Sequence, residues 1–158
     1  MPTITPNLWF DANGQEAAEF YVSIFPNSKI TQMSYYAEGA PGPAGSVMTV
    51  DFVLDGTEYT IINGGPQFHF DEAISLHINC ADQDEIDYYW AKLTDGGEEG
   101  PCGWLKDRYG VSWQVGQPDV MWTLLNDPDK QRGQRAMQAM FGMKKLDIAA
   151  LFAAADGA

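Results

Sequence analysis

Basic charge is scarce in this chain. Nine Lys and Arg stand against 22 Asp and Glu in 158 residues, a formal net charge of −13. So acidic a surface repels phosphate backbones and anionic headgroups, which argues against nucleic acid and membranes as partners. Long apolar runs are also missing. None approaches the ~20 residues of a membrane span, and Met1-Pro2-Thr3-Ile4 has neither the basic nor the apolar region of a secretory signal. There are only two cysteines, Cys80 and Cys102, without CxxC spacing. Free thiols and a cytoplasmic setting are therefore expected. No GxGxxG, GxGxG or GxSxG motif occurs. The signatures of a nucleotide-binding turn and of a hydrolase nucleophile elbow are thus absent.

What is present is ordinary globular composition, 45% hydrophobic and 13% aromatic, at single-domain length and with enough chain for a real core. One local pattern occurs twice. Asn13-Gly14-Gln15-Glu16 and Asp82-Gln83-Asp84-Glu85 each pair a capping residue with a Glu three positions on, the signature of a capped helix start. Behind each cap the apolar stripe keeps step: Ala17, Phe20, Tyr21 and Ile24 match Ile86, Tyr89, Trp90 and Leu93. Spacings of i, i+3, i+4 and i+7 predict one buried face per helix.

Around these helices the pattern predicts strands at 4–10, 28–36, 47–54, 58–63, 74–80, 103–107 and 111–116. Met48, Val50, Phe52 and Leu54 share one face of the third, and Asp55-Gly56 marks a hairpin. The Gly/Pro-rich segments 38–45 and 64–66 read as loop punctuation. Helices are expected at 13–25, 83–94, 120–125, 131–143 and 146–154. Met137, Met140, Phe141 and Lys144 follow helical spacing, as core or as a homodimer seam. The chain thus reads as a first module at 1–70, a second at 71–118 and a helical tail at 119–158.

Strand–helix–three strands, twice, resembles the vicinal-oxygen-chelate superfamily of glyoxalase I, bleomycin-resistance proteins and extradiol dioxygenases. Residues 107–114, Asp-Arg-Tyr-Gly-Val-Ser-Trp-Gln, look like its closing turn and last strand. Residues 4–11, 63–66, 102–107 and 144–151 are similar to the PhnB-like branch, often labelled 3-demethylubiquinone-9 3-methyltransferase, nearly end to end. The resemblance implies an α+β fold, two βαβββ modules forming a half-barrel, with a helical C-terminal tail. Carried over by motif, the superfamily's metal ligands fall at or near Thr5, Tyr59, Ser75 and Gln114. None supplies imidazole, carboxylate or thiolate, so no metal and no cofactor is expected.

Strand parity places Asn7, Trp9, Tyr59, Ile61, Asn63, His77, Asn79, Ser112 and Gln114 on the faces turned away from the helices. Aromatic rings, amides and one imidazole suit a small, partly aromatic or carbonyl-bearing ligand that is not strongly anionic. His77 is the candidate proton carrier; His69 reads as a surface or packing residue. Three readings stay open: a metal-independent small-molecule-binding protein, a metal-free isomerase, lyase or transferase using His77, and a structural or regulatory dimer. In each a homodimer is expected.

Overall fold

The structure is a computed structural model describing residues 1–158. The chain divides into two compact units, 1–70 and 71–158. The first holds β1 (Asn7–Phe10), α1 (Gly14–Ile24), β2 (Lys29–Tyr35), β3 (Val47–Leu54) and β4 (Thr57–Asn63). Its sheet has the order β1-β4-β3-β2, with β1 and β4 parallel and the other pairs antiparallel.

Register in this sheet follows from the β3–β4 hairpin. Asp55 and Gly56 both take positive φ, +44° and +84°, the geometry that lets a two-residue turn follow the strand twist. Leu54 therefore faces Thr57, Phe52 faces Tyr59 and Val50 faces Ile61. Phe52 stacks on Tyr59 (ring centroids 5.4 Å apart) and lies 6.3 Å from Tyr21 of α1. This is the helix-covered face, where Ala17, Ala18, Tyr21, Val50, Phe52 and Ile61 are buried.

The second unit holds β5 (Leu76–Asn79), α2 (Gln83–Thr94), β6 (Glu98–Glu99), β7 (Trp104–Lys106) and β8 (Ser112–Gly116), in the order β5-β8-β7-β6. Both units thus repeat strand–helix–three strands. The short β6 has no apolar alternation, which is why Glu98-Glu99 reads in sequence as a solvated face. Helix α2 starts as expected: Asp82 Oδ1 accepts from Glu85 N–H, and Glu85 Oε2 accepts from Ala81 N–H. Helix α1 does not, because Asn13 makes no side-chain cap bond. Asn63, at the end of β4, takes over by accepting the Gly14 N–H at 2.8 Å.

Between β7 and β8 the turn is organised by Asp107, 3% exposed. One carboxylate oxygen accepts from Tyr109 and Val111 N–H, the other from Trp113 Nε1–H. Val111, Trp113, Val115, Leu105, Ile86, Trp90 and Leu93 fill the core beneath.

The tail forms α3 (Pro118–Leu125), α4 (Lys130–Phe141) and α5 (Ile148–Asp156), around Leu124, Ala136, Leu151 and Ala155. The methionine stripe divides. Met140 packs on this core, whereas Met137 and Phe141 are exposed. The tail is fastened to the rest of its unit by backbone bonds from Cys102 N–H to Met143 O and from Gly103 N–H to Lys144 O. Gln83 adds a two-sided clamp, donating to Leu146 O and accepting from Ile148 N–H. Removing that amide costs about 1–3 kcal/mol. Gln83→Ala is therefore expected to leave the sheet intact and speed amide exchange at Gly103 by roughly tenfold, measured by hydrogen–deuterium exchange.

Candidate functional site

Each sheet has a helix-covered face and an open one, and pairing decides which residues belong to which. In the first unit β1 pairs Asn7 with Thr60, Leu8 with Ile61, Trp9 with Ile62 and Phe10 with Asn63. Directly paired residues share a face. Asn7 and Trp9 are thus on the open face, as parity predicts. Tyr59, Ile61 and Asn63 are not; they lie on the helix-covered side, because the two-residue hairpin locks Tyr59 to Phe52 and Ile61 to Val50, and β1 sets Asn63 beside the buried Phe10. The open-face residues of β4 are Glu58, Thr60 and Ile62, and Thr60 Oγ1 donates to Asp51 Oδ1 at 2.7 Å.

The three misplaced residues have structural work. Ile61 is fully buried. Burial pushes the Tyr59 hydroxyl pKa upward. Asn63 accepts from Gly14 N–H and donates to Val47 O, joining α1, β3 and β4. Asn7 is exposed and donates to Thr5 O. Trp9 donates from Nε1 to Gly65 O and meets Phe68 edge-on at 5.0 Å.

In the second unit parity holds. The register sets His77 beside Gln114, and Gln114 beside Trp104. One step along the sheet, Ser112 lies beside Lys106, and Lys106 beside Glu98. The open face therefore carries the row His77–Gln114–Trp104 next to the row Ser112–Lys106–Glu98, with Asn79 at the end of β5. Trp104 joins the face by the same parity applied to β7, and Lys106, one of two cations that the sequence sets near the rim with Arg108, lies on the face itself. Ser112 stands two residues along β8 from Gln114, the partner of His77, and its hydroxyl donates to Asp71 O at 3.5 Å, so Ser112 and His77 form no hydrogen-bonded dyad.

A cavity of about 360 Å³ opens on this face, lined by Trp104, Lys106, Ser112, Glu72 and Glu98 among others. Lys106 Nζ sits 2.5 Å from Glu72 Oε1. That hydrogen bond is the main cause holding the Glu72 carboxyl below and the Lys106 ammonium above their ordinary values. The cation is therefore already partnered, and the lining carries more acid than base. At the other end, His77 Nε2 and Leu146 Cδ1 lie 3.6 and 3.3 Å from where a Cβ on Gly116 would stand. Although His77 is exposed as a whole, partial desolvation of its ring lowers its pKa from 6.5, favouring neutral imidazole at neutral pH. Neither ring nitrogen is hydrogen-bonded within the chain.

The positions that the superfamily uses for metal do not fit a metal here. Tyr59 is on the helix-covered face. Ser75 and Gln114 bond to each other, Nε2 to Oγ at 2.9 Å. No three His, Cys, Asp or Glu side chains converge anywhere in the chain. A methyl donor of the S-adenosylmethionine type fits no better. β4 leaves through Gly64-Gly65 into a loop, not a helix, and the Trp9 ring covers Gly64, 2.2 Å from where its Cβ would be.

The paired strand–helix–three-strand units, with the family match below, define a member of the vicinal-oxygen-chelate superfamily. Within it the chain belongs to the 3-demethylubiquinone-9 3-methyltransferase family, whose sequence profile matches residues 2–116. The match stops short of the end-to-end one expected from the sequence, and residues 144–151 lie beyond it. The chain is similar to the solved PhnB protein of Bacillus cereus, which bears the same methyltransferase name provisionally. Identity is 36% and the TM-score 0.66, covering 73% of this chain and 99% of that one. Protein PA1353 of Pseudomonas aeruginosa is similar at 21% identity and TM-score 0.62, over 74% and 98% of the two chains. The fosfomycin resistance protein FosX of Listeria monocytogenes, solved with Mn(II) and sulfate, shares the fold at 18% identity and TM-score 0.51, over 73% and 91%. No curated protein matches the chain.

Two outcomes test these assignments. Asn63→Ala strands a buried N–H and a carbonyl, so it should cost about 1–3 kcal/mol in denaturant unfolding without touching the open face of the second sheet. His77 should titrate below 6.5 in an NMR titration. Because its folded pKa is depressed, the unfolded chain takes up the proton first, so this residue's contribution to stability falls as pH drops through and below 6.5.

Proposed function

We propose that the protein is a metal-independent small-molecule-binding protein whose ligand lies on the open face of the second sheet. The observation carrying this reading is the Gln114–Ser75 hydrogen bond. Two positions that would serve a metal are uncharged and bond each other, while His77 and Trp104 flank Gln114 on either side in the sheet, one imidazole and one ring wall. A flat aromatic or carbonyl-bearing molecule can stack on Trp104 and take a hydrogen bond from the second N–H of Gln114, while the buried Ser112 hydroxyl is held by Asp71 O. A strongly anionic one is disfavoured, since Lys106 is engaged by Glu72.

The protein works as a homodimer in the cytoplasm on this reading. The exposed Trp122, Met137 and Phe141 of the tail support a second copy as partner, and two free thiols suit a reducing setting. The acidic surface speaks against nucleic acid and membrane, and no helix is long and apolar enough to cross a membrane. One observation favours a second reading, a metal-free isomerase, lyase or transferase: the depressed pKa of His77 leaves its imidazole free to take a proton near neutrality.

The purified protein, dialysed against a chelator and sprayed natively, should appear as a dimer that keeps its organic ligand and its thermal midpoint. Trp104→Ala and Gln114→Ala should each weaken the retained molecule by about tenfold. A midpoint that collapses on chelation, with a metal mass lost, would sink the metal-free reading. Turnover abolished by His77→Ala at unchanged affinity would establish the enzyme instead.

A further inference from the structure

We infer that the first unit carries a binding site of its own, a cavity of about 370 Å³ that takes a compact organic cation: a protonated amine on a flat apolar body. Two Gly/Pro segments that read in sequence as punctuation, 38–45 and 64–66, wall this cavity from two sides, and Asp11 and Gln15 close a third. Nor are these loops loose. Tyr36 exchanges backbone hydrogen bonds with Ser46 and Gly45, and its hydroxyl donates to Asn63 O at 2.5 Å. Its ring lies so close under Gly42 that a Cβ there would stand 2.4 Å from it. Gly64 and Gly65 N–H bond to Phe10 O and Asp11 O. The result is a preformed wall of Tyr36, Pro41 and Pro43 facing a carboxylate.

Hydrogen-bond accounting sets the ligand's chemistry. Each side chain in the lining that can donate already does so within the chain: Tyr36 to Asn63 O, Asn63 to Val47 O, Ser46 to Pro43 O and Gln15 Nε2 to Glu19, with one N–H left over on each of the two amides. The acceptors are not. Asp11 is the sole formal charge in the lining and has no ion pair, and Gln15 Oε1 is open because the amide donates through its nitrogen. With both hydroxyls engaged and the Asp11 carboxylate and Gln15 Oε1 open, the lining favours a molecule that brings donors, and the carboxylate selects positive charge. Tyr36 adds a ring on which such a cation can rest, and the field of a chain at −13 concentrates cations near it.

The test uses benzylammonium as probe, with benzyl alcohol and benzoate as its neutral and anionic counterparts, followed by backbone-amide NMR on the intact protein. Saturable shifts confined to Gln15, Gly42, Gly64, Gly65 and their neighbours are expected for benzylammonium, weaker ones for the alcohol and none for benzoate. Asp11→Asn should keep the thermal midpoint, since the side chain is exposed, and lower benzylammonium affinity by about tenfold or more. The proposal is overturned by the absence of saturable binding at millimolar probe. Shifts centred elsewhere, affinity undiminished in Asp11→Asn, or equal binding of benzoate would overturn it equally.

Discussion

A buried carboxylate sets the geometry of the second unit. Asp107 is ionisable, almost fully enclosed, and would be costly without partners. It has three N–H donors, two from its own turn and one from the Trp113 indole. The turn bonds fix where β7 ends and β8 begins. The indole bond pins Trp113 to the helix-covered side, so its neighbours Ser112 and Gln114 must face the other way. Every open-face residue of this sheet inherits its direction from that arrangement. In the first unit the Asp55-Gly56 hairpin and Asn63 divide the same task between turn geometry and a buried amide.

The family fold and the family chemistry separate in this chain. The βαβββ units and their pairing follow the superfamily pattern, and the sequence profile covers 2–116. The donor set does not follow. Ser75 and Gln114 keep the polar character of ligand positions without the charge, and they are close enough to bond each other. What the sheet presents instead is a graded surface: a partnered ion pair at Lys106, neutral amide and hydroxyl groups in the middle, and imidazole beside Leu146 at the far end. Leu146 comes from the tail, beyond the matched region, so this end of the face is built by a part of the chain that the family profile does not describe.

Sequence pattern carried most of the fold because helix stripes and alternating strands report burial directly. β3 and α2 have the bounds that their periodicity predicts. β4 misled for a definite reason. Asn63 is polar and terminal, which suggests exposure, yet it is buried because it serves two backbone partners. Parity alone set Tyr59 and Ile61 with it on the open face, whereas counting outward from Asp55-Gly56 gives the helix-covered one. The cap of α1 was illegible for a related reason: the group that bonds Gly14 lies 49 positions away. The cavity of the first unit was hidden differently. Glycine and proline show where a chain turns, and only three-dimensional closure shows that two such turns face each other.

Cys80 is buried at the end of β5, where its N–H bonds to Gly116 O. Burial drives its thiol pKa to about 11. At neutral pH the sulfur is almost wholly S–H, and the reactive thiolate is rare. Oxidants and alkylating reagents must therefore wait for that strand end to come away from β8. The rate at which this sulfur is consumed becomes a clock for the breathing of the sheet, set by mechanics at its parallel edge more than by the redox poise of the surroundings.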